Sequence, residues 1–176
     1  MRFELRGDGR AGPTLDLDHR VFAYAGKFVM SGTGKSVATD QGEIVGAVAF
    51  SQDRSDASAV RLRYVTVRDD RRGEGIGPRL LRFTAAEIGA EYERVLIAVN
   101  NPIAYQACYR AGFVFTGEET GIAEVLLVYD PARDRSQEAY NAGLDAFDGR
   151  DLPAAHQSVI DRHRGSEPPP AVDRPE

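Results

Sequence analysis

Residues 2–6 (RFELR) alternate between polar and apolar, the pattern of a short strand, and Gly7 to Pro13 then read as loop. Residues 15–30 (LDLDHRVFAYAGKFVM) fit neither period cleanly and stay open between helix and strand. After a turn at SGTG, residues 36–40 and 43–50 read as two strands joined by a tight turn near Gly42. SQDRSDAS is a polar loop, and residues 59–67 (AVRLRYVTV) form a strand rich in β-branched residues. A helix is predicted over 78–89, with Leu80, Leu81, Thr84 and Ile88 on one face. The nearly continuous apolar run RVLIAV (94–99) is expected of a strand buried on both faces. A second helix opens at Asn101-Pro102, with Asn as N-cap and Pro in the first turn, and stops at Ala111-Gly112. Strands follow over 113–117 and 122–129, then two helical patterns over 136–147 and 152–163.

This order predicts an α/β (α+β) fold: a mixed, mostly antiparallel central sheet with flanking helices, plus a C-terminal helical hairpin. Three segments follow from it. Residues 1–131 are the main domain, 132–164 a helical appendage, and 165–176 (GSEPPPAVDRPE) a disordered tail. In the hairpin, Tyr140, Gly143, Leu144 and Phe147 share a side of one helix, and Ala155, Val159 and Ile160 a side of the other. It is similar to a single tetratricopeptide-like helix pair. One such unit cannot bury its own apolar face, so it packs on its own domain, on a second copy in a homodimer, or on a partner.

Composition narrows the function. A chain of 176 residues, 42% hydrophobic and 28% charged, can bury a core without disulfides or metals. Its formal charge of −5 argues against a general nucleic-acid binder. Cys108 is the single cysteine, which excludes an intrachain disulfide and fits a reducing compartment. The charged start MRFELRGDGR has no apolar h-region, and no apolar run approaches a membrane span, so a cytoplasmic protein without a membrane partner is expected. The stretch LDLDH (15–19) reads as a helix start or turn, and no metal site is assigned.

Chemistry concentrates in DRRGEGIGPRLL (70–81), between a strand and a helix. The first amides of a helix lack internal partners and carry the positive end of its dipole. Gly73, Gly75 and Gly77 have no Cβ, so a phosphate can approach the main chain there. Arg71 and Arg72 can add charge-assisted bonds, while Asp69, Asp70 and Glu74 dilute the field, so the backbone matters more than the side chains. Two nucleotide motifs are rejected. SGTGKS (31–36) has Val29 where a P-loop needs glycine, and it leads into a strand. Gly73, Gly75 and Gly77 run G-x-G-x-G, one residue short of the dinucleotide fingerprint.

The loop resembles the GNAT acetyltransferase superfamily, whose signature [QR]-x-x-G-x-[GA] is matched by Arg72-Gly73-Glu74-Gly75-Ile76-Gly77. A second signature, N-x-x-A with an aromatic and then G-F, appears as NPIAYQACYRAGF (101–113). The resemblance covers about residues 36–130. It implies acetyl-CoA, or another acyl-CoA, as donor, and a primary amine of a small molecule or protein as acceptor. The amides of Arg72, Gly73, Glu74, Gly75, Ile76 and Gly77 would hold the pyrophosphate. Val65, Thr66 and Val67 would pair with the pantetheine arm, where their strand splays from strand 94–99, and Asn101 would sit near the arm or the thioester. A main-chain N–H of Thr66 or Val67 would polarise the thioester carbonyl. The amine attacks directly, without a covalent enzyme intermediate.

The chain departs from the pattern in two places. Many family members carry a tyrosine seven residues after the Asn, as proton donor to the thiolate. Here that slot is Cys108, with Tyr109 next to it. Tyr109 is the candidate catalytic residue; water is the alternative donor, and packing against the sheet the alternative role. The family also usually places two helices before its first hairpin, where only residues 14–32 are available. A non-catalytic acyl-CoA sensor, or an interaction protein on the same fold, stays open beside the enzyme.

Overall fold

The alternating segments pair into a sheet in the computed structural model, which describes residues 1–133 and 135–175. Strand β1 (Arg2–Arg6) lies antiparallel to β2 (Gly34–Asp40), which forms a hairpin with β3 (Glu43–Gln52). At the hairpin turn Gln41 has φ 50° and Gly42 has φ 85°, the pair of left-handed residues that a two-residue type I′ turn requires. β4 (Ala59–Val67) returns antiparallel to β3. Helix α1 (Ile76–Ile88), β5 (Arg94–Val99) and helix α2 (Pro102–Ala111) follow. β6 (Phe113–Glu119) and β7 (Val125–Tyr129) form an antiparallel pair, and α3 (Gln137–Asp145) and α4 (Ala154–His163) complete the elements. The strands run in the order β1-β2-β3-β4-β5-β7-β6 in a seven-stranded sheet. This is the expected class: a mixed, mostly antiparallel sheet with flanking helices.

The chain divides into two compact units, residues 1–96 joined by the chain from Asp173 onward, and Ile97–Val172. The expected boundary at residue 131 falls inside the second unit.

In the first unit, α1 covers one face of the strands. Ile76, Leu80, Leu81, Phe83 and Ile88 are buried, each contributing about 1.5–3 kcal/mol. Gly46 lies under them; a Cβ there would come within 3.2 Å of Ile76 and 3.3 Å of Leu80, so glycine lets the helix sit close on β3. The other face is covered by residues 15–28. Leu15, Leu17, Phe22, Ala25 and Phe28 pack on Val37, Ala47 and Ala49. This segment is neither of the elements left open by its sequence. It holds a single 3-10 turn at Ala25–Lys27, and its ends are joined by the Leu15 N–H donating to the Phe28 carbonyl at 2.9 Å. Lys35 is fully buried below its end, donating to the carbonyls of Thr33 (2.7 Å) and Met30, and burial lowers its pKa.

In the second unit, α2 is capped as predicted. The Asn101 side chain accepts from the Ala104 N–H at 2.9 Å, and Gly112, at φ 97°, ends the helix. Tyr105, Tyr109, Tyr140 and Phe147 form a buried aromatic cluster. Ile160 is buried, whereas Ala155, expected on the apolar side of its helix, is exposed. Residues 165–172, expected to be disordered, have specific partners. The Arg110 carbonyl accepts from the Val172 N–H at 2.7 Å, and Arg135 donates to the Pro169 carbonyl at 2.9 Å.

Candidate functional site

The glycine loop emerges from β4 through a 3-10 turn, Asp69–Arg71, and enters α1 at Ile76, two residues before the predicted start. Gly73 has φ 87° and Gly75, the N-cap, φ 76°. Both are left-handed positions, which L side chains occupy only with strain. Arg72 donates its amide to the Asp69 carbonyl over 3.4 Å. Among the described residues no acceptor meets the amides of Gly73, Glu74, Gly75, Ile76 and Gly77. Five successive donors at a helix N-terminus therefore lack a protein partner, an arrangement suited to an anion.

The loop's side chains neutralise one another. Arg68 pairs with Asp70 (2.7 Å) and Glu43 (2.9 Å), Arg71 with Glu74 (2.9 Å) and Asp40 (3.1 Å), and Arg72 with Asp69 (2.6 Å). Hydrogen bonds donated to Glu74 and Asp40 raise the Arg71 pKa, and the Arg68 guanidinium holds the Asp70 carboxyl below its ordinary value. Arg71 and Arg72 thus have carboxylate partners instead of standing free for a phosphate. Five carboxylates share three guanidinium groups in these pairs, so side-chain charge does not favour an anion here and the unengaged main-chain amides are the donors left to meet one.

β4 supplies the second part. Its pairing with β3 matches Ala49 to Tyr64 and Phe50 to Leu62, leaving Arg63 unopposed as a β-bulge that bends the strand. The Arg68 N–H donates to the Val45 carbonyl of β3 at 3.0 Å. Strand alternation then turns the Thr66 amide toward β3 and the Val65 and Val67 amides away from it. Of the two amides expected to polarise a carbonyl, that of Thr66 is turned to β3, while that of Val67, like that of Val65, faces away from it. The Thr66 side chain is buried, and its hydroxyl has no hydrogen-bond partner among the described residues.

Asn101 and Tyr109 lie in the second unit. Asn101 acts as the α2 N-cap and also donates to Asn100 Oδ1 at 3.2 Å. Tyr109 is fully buried, and its phenolic oxygen accepts the Phe115 N–H at 3.1 Å. Its ring packs against Tyr105 and Tyr140, which makes it part of the core. Cys108, in the slot expected for tyrosine, is buried, and desolvation pushes its thiol pKa up, as in an inert core residue.

The Acetyltransferase (GNAT) domain family model matches residues 28–115, half of the chain. The chain belongs to the GNAT acetyltransferase family. No curated protein matches it. Among solved structures, smu.2055 from Streptococcus mutans UA159 is 22% identical over 62% of this chain and 78% of that one, with a TM-score of 0.48. The IAA acetyltransferase from Bacillus cereus ATCC 14579 is 19% identical over 55% of this chain and 76% of that one, at 0.44. A GNAT family acetyltransferase from Elizabethkingia anophelis, with acetyl-CoA bound, is 17% identical over 56% and 76%, at 0.48.

This GNAT domain also brings residues to β4 that sequence reading passed over. The Tyr24 ring lies 5.9 Å from Tyr64, and Lys27 Nζ stands 5.6 Å from the centre of the Tyr64 ring. Their segment has no helical or strand period, so the sequence held no signal placing them there. Among the described residues no group of three or more His, Cys, Asp or Glu side chains could hold a metal ion, and no helix is long and apolar enough to cross a membrane.

Proposed function

We propose that this GNAT domain is an N-acetyltransferase, moving an acetyl group from acetyl-CoA to a primary amine by direct attack. The carrying observation is the run of unengaged amides from Gly73 to Gly77, which fits a pyrophosphate without help from side-chain charge. Acetyl-CoA supplies an activated acyl group: the amine nitrogen forms a C–N bond, the C–S bond breaks, and the coenzyme leaves as a thiolate. The chain's own part is positioning. Gly73–Gly77 anchor the diphosphate, the main chain of β4 at Val65–Val67 pairs with the pantetheine arm, and an amide of Val65 or Val67 donates to the thioester oxygen. Tyr109 is fully buried among the aromatic rings of its own unit, so in this reading solvent takes the amine's proton and protonates the thiolate, whose ordinary pKa of about 8.5 asks little of a catalyst.

Gly77→Asp tests the anchor. Gly77 has no left-handed φ, and a Cβ there meets only Val67 Cγ2 at 3.7 Å, so the fold accepts a side chain. A carboxylate in the first turn stabilises the helix by about 0.3–1 kcal/mol while occupying the phosphate's place. Calorimetric titration with acetyl-CoA is expected to lose at least about thirtyfold in affinity, roughly 2 kcal/mol, with the thermal midpoint unchanged or raised. Unaltered affinity removes the loop from the site. A second reading, a domain that binds acyl-CoA without turnover, draws on the absence of tyrosine at position 108. Steady release of coenzyme thiol with a panel of amines excludes it.

A further inference from the structure

The face of β4 that carries Tyr64 and Thr66 is covered by residues 15–28, and this cover is tied down beside the glycine loop. The Asp69 N–H, just past β4, donates to the Val21 carbonyl at 2.9 Å. Tyr64 packs against the cluster built by that segment, and Thr66 sits opposite Ala47 of the same cluster. An acceptor reaching the Val65 and Val67 amides along this face passes those two side chains.

Lys27 is exposed and stands over the Tyr64 ring. Arg63, on the bulge, donates its Nε to Ser51 Oγ at 2.9 Å, and among the described residues its guanidinium has no carboxylate hydrogen-bonded to it. Asp53, the acid that acts on Arg63, is itself bonded to Arg61 and to Ser55. Partial desolvation and the neighbouring Arg61 and Arg54 charges hold the Arg63 pKa below its ordinary value. Tyr24 completes the patch. It is 59% exposed, its ring faces Tyr64, and it holds φ 59°, a left-handed conformation that bulky residues seldom adopt. Strain of this kind collects where side chains must be presented. Thr66 adds, on the same face, a buried hydroxyl with no partner among the described residues.

Building on the acetyltransferase reading, we propose that the acceptor is an amine that also carries an anionic group, held by Lys27 and Arg63 beside the Tyr24 and Tyr64 rings. Thr66 Oγ1 faces the acceptor's inner end as a positioning hydroxyl. An ammonium and a guanidinium that form no ion pair with a carboxylate among the described residues suit a carboxylate or a phosphate and offer nothing to a second cation.

The test uses matched ligands that differ only in that group: 4-aminobutyrate and its carboxamide, an α-amino acid and its carboxamide, and aminoethyl phosphate and ethanolamine. Each is titrated calorimetrically into the full chain saturated with CoA. The anionic member is expected to bind at least about tenfold tighter than its neutral mate in one class of pair, and raised salt should shrink the gap. Whichever pair shows the larger gap identifies carboxylate or phosphate. The gap should close in the Lys27→Gln/Arg63→Gln double variant and persist in Lys27→Arg, with acetyl-CoA affinity unchanged in both. Equal binding within every pair, or a gap that survives the double variant, overturns the proposal. Acetyl transfer to the same amines is read separately. A binding preference without transfer counts against the acetyltransferase reading and leaves the anion site standing.

Discussion

Gly75 and Asp53 show how single residues set what the first unit tolerates. Gly75 caps α1 at φ 76°, so Gly75→Ala pushes a Cβ into the left-handed region at a cost of about 1–2 kcal/mol. Urea denaturation should show that loss even without ligand, which is why Gly77→Asp is the cleaner probe of binding. Asp53 is nearly buried and accepts from the Ser55 hydroxyl and amide, the Asp56 amide and Arg61. The Ser55 bonds above all, with Arg61, hold its carboxyl well below the usual range. A carboxyl depressed in the folded state stabilises fully above its unfolded pKa of about 3.9 and loses that contribution as pH falls through the folded value. Asp53→Asn should therefore cost about 2 kcal/mol at pH 7. The gap from the parent should narrow only below about pH 4, as unfolding curves taken across that range will show.

Helix α2 marks where the sequence was legible and where it was not. Its limits could be read off because Asn101 and Gly112 act locally, one through a side chain three residues from its partner and the other through its own φ. The same holds for the Gln41-Gly42 turn and for the glycines of the loop that leads into α1. Residues 15–28 were not legible, since Leu15, Leu17, Phe22, Ala25 and Phe28 are spaced by the path of a loop over the sheet and follow no period. Nor was the hydrogen bond that Tyr109 accepts, since the Phe115 amide arrives from the next strand. That bond yields a prediction. Tyr109→Phe leaves a buried N–H unpaired, at a cost of about 1–3 kcal/mol, yet removes no group from the reacting atoms. Coenzyme release with a good amine should keep its kcat within about twofold of the parent, with a lowered melting midpoint. A kcat reduced about a hundredfold or more would return the phenol to the mechanism as proton donor.

At the scale of the whole molecule, the C-terminal helices read as an appendage only while their contacts are unseen. The Tyr105 hydroxyl donates to the Tyr140 carbonyl of α3 at 2.9 Å, and a Cβ on Gly143 would run into the Tyr105 ring. Arg135 donates to the Tyr109 carbonyl at 2.6 Å. α3 therefore closes over the aromatic side chains of α2, so the second unit has no complete core without it. Ending the chain at residue 131 would expose Tyr105 and Tyr109, both fully buried. Each buries on the order of 150–250 Å² of surface, or several kcal/mol each at about 25 cal/mol per Å². Against a total stability of about 5–15 kcal/mol, that loss leaves little. The truncated chain should lose its cooperative thermal transition and bind a hydrophobic dye. Gly143→Leu in the full chain should give a graded version of the same defect, costing about 1–3 kcal/mol by overpacking. A truncated chain that melts cooperatively at the parent's midpoint and keeps its acetyl-CoA affinity would show instead that the helices serve a partner.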